Sequence, residues 1–161
     1  SSDVCSSDLK QKQKSAYNHM PASQVLHLVG PEVWNSYYKF TVARNPWDAA
    51  ISMYYWRSGE SRPSLSEFIA SPDLDPLKKN FSIYTLDGKV AVDKICRFEN
   101  LKEELTAVYE HLGLPVPLEL PRAKGQSRPD KRPYREVYEQ SDADAIAKIF
   151  ADEIQLLSYT F

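Results

Sequence analysis

The residues best placed to do chemistry are an arginine and a serine eight positions apart. Arg44 and Ser52 lie in residues 40–55, FTVARNPWDAAISMYY. The run 37–43 (YYKFTVA) is short and rich in aromatic and β-branched side chains, which predicts a buried strand. Asn45 then suits a helix cap, Pro46 the first helical position, and Asp48 can close a capping box. A helix over 46–56 follows. Arg44 therefore stands at the carboxyl end of a strand, where open α/β sheets bind ligands. A helix start offers unpaired amides and a positive dipole end, both suited to an anion. The guanidinium fork matches phosphate. Ser52 falls about two turns into the helix, and its hydroxyl reaches the same anion if the strand end bends back over the helix. The chemistry implied is phosphate binding. The plainer alternative is that Arg44 pairs with a nearby carboxylate and Ser52 bonds back into its own helix.

Several other elements are needed to position such a site. A helix over 22–29 fits between Pro21 and Gly30, with a second short turn over 31–36. Ser64 and Glu67 have capping-box spacing and open a helix over 64–71. Asp87-Gly88 between apolar alternations predicts a hairpin over 83–92. Residues 93–98 (DKICRF) read as a second core strand. Leu101, Leu105, Val108, Tyr109 and Leu112 share one helical face, and Gly113 ends that helix. Residues 116–133 form a Pro- and Arg-rich loop. Ser141 and Asp144 open a last helix carrying Ile146, Ile149, Phe150, Ile154 and Leu157. Strand, helix, strand, helix predicts an α/β fold on a parallel sheet. With only two or three strands evident, and parallel sheets normally covered on both faces, an N-terminal part of the fold is expected to be missing.

Composition narrows the function classes. At 161 residues the chain is one domain. Hydrophobic residues at 42% and charged residues at 26% exclude disorder throughout. No run approaches the 18 or so apolar residues of a membrane-spanning helix. A net charge of -2 argues against a nucleic-acid binder working through a broad basic surface. Cys5 and Cys96 make no disulfide framework. His19, His27 and His111 show no metal spacing, so no metal is expected. Residues 1–9 (SSDVCSSDL) lack a periodic apolar face and a secretory pattern. They read as a non-native or disordered start covering 1–13, with the domain over 14–161.

The segment RNPWDAAIS resembles the 3'-phosphate-binding motif of PAPS-dependent sulfotransferases, in which an R-N-P start is followed by a Ser eight residues after the Arg. The carbohydrate-type branch is the nearer likeness. HMPASQV with Trp34, VDKICRFENL, GQSRPDKRPYREVYE and EIQLLSYTF resemble that branch in the same order, over roughly 18–161. The resemblance implies a P-loop-like three-layer α/β fold. It implies transfer of a sulfuryl group from PAPS, as co-substrate, to a hydroxyl or amine of a small-molecule or glycan acceptor, with no metal. By residue, Arg44 and Ser52 would hold the nucleotide 3'-phosphate, and Lys124, Ser127 and Arg128 would lie in the loop that closes over it. The alternative for those three is an ordinary solvated basic loop. The family also grips the 5'-phosphosulfate with a Lys followed by small residues and Ser or Thr at a helix start. KQKQKSAYN, ahead of His19, does not fit that pattern, so the first strand–loop–helix is expected to be absent and the chain truncated.

An acceptor hydroxyl needs a general base, for which histidine is the usual choice near neutral pH. The resemblance points to His19, whose alternative is a capping or packing role. His27 falls in an apolar helix face and reads as structural. His111 suits a helix C-terminus. Glu99 is a second base candidate, or a helix-start carboxylate. Trp34, Trp47 and Tyr54 read as core, while Tyr55 and Trp56 are candidates for a sugar-stacking surface. Two other functions stand beside sulfuryl transfer. One is a non-catalytic module keeping only the 3'-phosphonucleotide half-site. The other is a kinase or glycosyltransferase fragment, against which stand the lack of a Walker A motif and of an acidic metal-binding pair. A cytoplasmic location is favoured, or a membrane-associated one if an N-terminal anchor has been lost.

Overall fold

A computed structural model of the chain describes residues 15–57, 61–116, 119–120 and 130–161. Lys124, Ser127 and Arg128, and the start over 1–13, lie outside the described residues.

The first helix, α1 (Ala22–Ser36), is interrupted at Gly30, whose φ of 80° is non-helical and is followed by Pro31. Glycine takes this left-handed φ without a Cβ penalty, and the chain turns there as the Gly-Pro pair predicts. Strand β1 (Phe40–Ala43) leads into α2 (Pro46–Arg57). Helix α3 (Leu65–Ala70) carries the expected capping box: Ser64 Oγ accepts from Glu67 N, and the Glu67 carboxylate accepts from Ser64 N at 2.7 Å. Short helices α4 (Asp75–Lys78) and α5 (Asn80–Tyr84) come next, and neither was expected. Pro72 and Pro76 break this stretch into single turns too short to show a period.

Strands β2 (Thr85–Leu86) and β3 (Lys89–Val90) pair antiparallel across a two-residue turn. Asp87 and Gly88 both have positive φ, 51° and 74°, as a type I′ turn requires. Strand β4 (Lys94–Arg97) is parallel to β1, with Phe40 opposite Lys94 and Ala43 opposite Arg97. Helix α6 (Leu101–His111) ends at Gly113. At the other end of the chain, α7 (Gln140–Ile149) and α8 (Ala151–Leu157) replace the single last helix. The helix opens one residue before Ser141, and it breaks at Phe150, where φ is -108° and ψ 25°.

The result is a mixed helix and strand fold, compatible with α/β, around a two-stranded parallel sheet. The core is built from Ala43, Trp47, Ala50, Phe68, Ile69, Leu74, Ile146 and Phe150. Trp47 anchors it: its indole Nε1 donates to Ala143 O at 2.9 Å, and its carbonyl accepts from Tyr138 Oη at 2.9 Å. The expectation of a buried strand holds only in part. The strand ending at Ala43 is not buried along its length, because Phe40 and Val42 are exposed while Ala43 is enclosed. A two-stranded sheet pairs β1 on one edge only, so part of the strand faces outward. Ion pairs tie the sheet to its surroundings, Lys39 with Asp93 at 2.8 Å and Lys94 with Glu104 at 2.6 Å.

Candidate functional site

Arg44 lies where β1 gives way to α2, and the local contacts there are dense. Asn45 caps α2: its Oδ1 accepts from Trp47 N at 3.1 Å and, at the limit of length, from Asp48 N at 3.5 Å. Its Nδ2 donates to Tyr134 Oη and to Thr160 O, both at 3.2 Å. Asp48 does not close a capping box. Glu99 Oε1, from the turn between β4 and α6, accepts the Asn45 amide at 2.7 Å instead. Glu99 thus bridges the carboxyl ends of the two parallel strands. It lines a separate cleft with Asn45 and Arg97.

This capping changes what the helix start can offer an anion. Pro46 has no amide proton. The Trp47 and Asp48 amides are taken by Asn45, and the Ala49 amide starts the helical ladder on Asn45 O at 2.9 Å. The open amides expected at this helix start are therefore already satisfied. What remains for an anion is the dipole, the guanidinium and the hydroxyl.

The guanidinium is itself engaged. Arg44 Nε donates to Asp48 Oδ2 at 2.7 Å, and Nη2 meets the same oxygen at 2.7 Å. The group also stacks over the Phe98 ring, 4.4 Å from its centroid. Nη1 has no hydrogen-bond partner among the described residues. The carboxylate alternative for Arg44 is thus present in the structure, one helical turn away on α2. Ser52 is half-buried, and its hydroxyl makes no hydrogen bond among the described residues, so it does not bond back into its helix.

Arg44, Ser52 and His19 are brought together on the wall of one cavity of about 690 Å³. That is within the range of small-molecule sites, about 300–1,000 Å³. Val25 of α1, Thr41 and Val42 of β1, Met53 and Trp56 of α2, and Ile83 and Tyr84 of α5 also line it. His19 is exposed and has a φ of 61°, a left-handed conformation that costs a non-glycine residue about 1–2 kcal/mol. Trp56, half exposed at 53%, stands on the cavity wall. Tyr55 turns away and donates to Asp130 Oδ2 at 3.1 Å. Of the other histidines, His27 is exposed rather than packed, and His111 lies against Tyr38 with ring centroids 4.3 Å apart.

Two functional-looking residues escaped the sequence reading. Tyr84 and Glu153 are buried, with 2% and 6% of their surface exposed, and both line the cavity. Tyr84 Oη donates to Glu153 Oε1 at 2.7 Å. Burial pushes the Glu153 carboxyl up, and the Tyr84 hydrogen bond offsets this only in part. A signal was available. Ile146, Phe150, Glu153 and Leu157 share one helical spacing, so an acid occupies the apolar stripe.

Among the described residues, no group of three or more His, Cys, Asp or Glu could hold a metal. Among the same residues, no helix is long and apolar enough to cross a membrane.

Fold and cavity together define a mixed helix and strand chain with a ligand-sized cavity beside a strand-to-helix junction. The chain belongs to the same family as an uncharacterized protein of Archaeoglobus fulgidus, to which it is 36% identical over 108 residues, 63% of this chain and 88% of that protein. No protein-family model matches the chain, and no solved structure does.

Proposed function

We propose that the chain is part of a PAPS-dependent sulfotransferase and binds the nucleotide 3'-phosphate at Arg44 and Ser52. The observation that carries this reading is the meeting of Arg44, Ser52 and His19 on one cavity wall, because the RNPWDAAIS resemblance names the first two for the phosphate. The two-stranded parallel sheet would belong to a P-loop-like three-layer fold. In the full reaction an acceptor oxygen or nitrogen forms a bond to sulfur. The bond from sulfur to the 5'-phosphate oxygen breaks, and that oxygen keeps the electron pair. His19, exposed at the cavity, would take the acceptor proton. Catalysis of this kind rests on positioning and charge stabilisation. Trp56 offers a face on which an acceptor sugar could stack.

Nucleotide binding is what these residues support most directly. A phosphate would have to share or displace the Asp48 carboxylate on the Arg44 fork. A second reading is a non-catalytic 3'-phosphonucleotide-binding module. It needs only Arg44 and Ser52 on the cavity wall.

Calorimetric titration with adenosine 3',5'-bisphosphate tests the shared claim. Saturable binding is expected, weakened at least tenfold by Arg44→Ala, as for loss of a charge-assisted hydrogen bond. Unchanged affinity in a folded Arg44→Ala protein would remove the assignment. Equal binding of ATP would redirect it to another nucleotide-dependent transferase.

A further inference from the structure

Glu153 is the acidic side chain of the cavity wall, and it is only half satisfied. Tyr84 Oη occupies Oε1 at 2.7 Å, while Oε2 has no hydrogen-bond partner among the described residues. Neither Arg44 nor His19, the basic side chains on the same wall, forms a salt bridge with it among the described residues. The Arg44 fork is held by Asp48 at 2.7 Å, and His19 is exposed. No Lys or Arg forms a salt bridge with Glu153 among the described residues. The surrounding wall is apolar, with Val25, Met53, Ile83 and Phe150. A buried carboxyl of this kind is costly unless it is both paired and hydrogen-bonded.

We propose that Glu153, held in place by Tyr84, binds the ammonium group of a ligand whose apolar body fills this cavity. An ammonium supplies at once the missing donor to Oε2 and the missing positive charge. A hydroxyl would supply only the first. Charge-assisted hydrogen bonds are roughly twice as strong as neutral ones, so the site discriminates amine from alcohol on the same carbon chain. The assignment goes beyond the nucleotide reading and rests on the cavity alone. It stands or falls whether or not Arg44 holds a phosphate.

The probes are hexylamine and 1-hexanol, titrated into the full chain at pH 8 by calorimetry. An alkylammonium, with a pKa near that of lysine at about 10.4, stays charged there. Saturable hexylamine binding is expected, roughly tenfold or more tighter than 1-hexanol and weakened by a similar factor in Glu153→Gln. Glutamine keeps an oxygen for Tyr84 but presents no charge. A second readout needs no variant: the 13C signal of the Glu153 carboxyl carbon should move with hexylamine, and by less with 1-hexanol at the same concentration. Equal affinity for the two probes, an undiminished Glu153→Gln, a stationary carboxyl signal, or no hexylamine binding would each overturn the assignment. None of these outcomes depends on the adenosine bisphosphate titration, so the two assignments fail separately.

Discussion

Asp48 decides how available Arg44 is. The pair is partly exposed, with 29% of the Arg44 side chain and 22% of the Asp48 side chain open to solvent. An ion pair this exposed contributes about 0.2–1 kcal/mol. A phosphate, with more charge and three oxygens, can compete with a single carboxylate. Replacing Asp48 by Asn should therefore release the guanidinium and tighten adenosine 3',5'-bisphosphate binding by roughly twofold to fivefold. Calorimetry on Asp48→Asn measures this directly. Weaker binding would mean that Asp48 orients Arg44 rather than competing for it. The partner was readable in advance only as a nearby carboxylate, since Asp48 lies four residues on, in the first turn of α2 beyond the Asn45 cap. The Glu99 contact to the Asn45 amide was not, because it joins residues 54 positions apart. Only the parallel pairing of β1 with β4 puts them side by side.

Individual elements were legible where the chemistry is local. Ser64 with Glu67, Asp87-Gly88, Gly30-Pro31 and Gly113 each specify a backbone conformation within a few residues, and the structure has all four. Elements were misread where distant packing decides. The helix carrying Ile146 and Leu157 breaks at Phe150, yet its apolar spacing runs through the break without interruption. The buried acid at position 153 was lost in the same stripe. Cap energetics belong to this scale. Ser64→Ala removes the acceptor for Glu67 N and should lower stability by about 1 kcal/mol, read as a shift of the urea midpoint with unchanged slope. Phe68 and Ile69 of α3 belong to the core, so the loss should appear in global unfolding rather than in fraying of one helix. An unchanged midpoint would mean that the cap is dispensable once these side chains are packed.

The cavity wall draws on both ends of the chain, from His19 to Glu153, so its charge is coupled to the stability of the whole molecule. Burial pushes the Glu153 carboxyl above its ordinary value of 4.5. Above that value, and up to its folded pKa, the native state binds more protons than the unfolded chain. The slope of unfolding free energy with pH is then negative. Glu153 accordingly costs least in acid, and stability is lost as pH rises through the window until the carboxyl ionises in both states. Tyr84 and Tyr159, the other titratable groups linked to it, are both pushed up and ionise far above this window. Groups shared with Glu153→Gln cancel in the difference between the two proteins. Urea unfolding of both, from pH 4.5 upward, should therefore show the wild type losing ground to the variant as pH rises. Hexylamine should reverse part of that loss for the wild type alone, since a ligand bound only to the folded state stabilises it. A pH-independent difference would mean that the carboxyl titrates alike in the folded and unfolded chains, and that the cavity admits enough water to hydrate it.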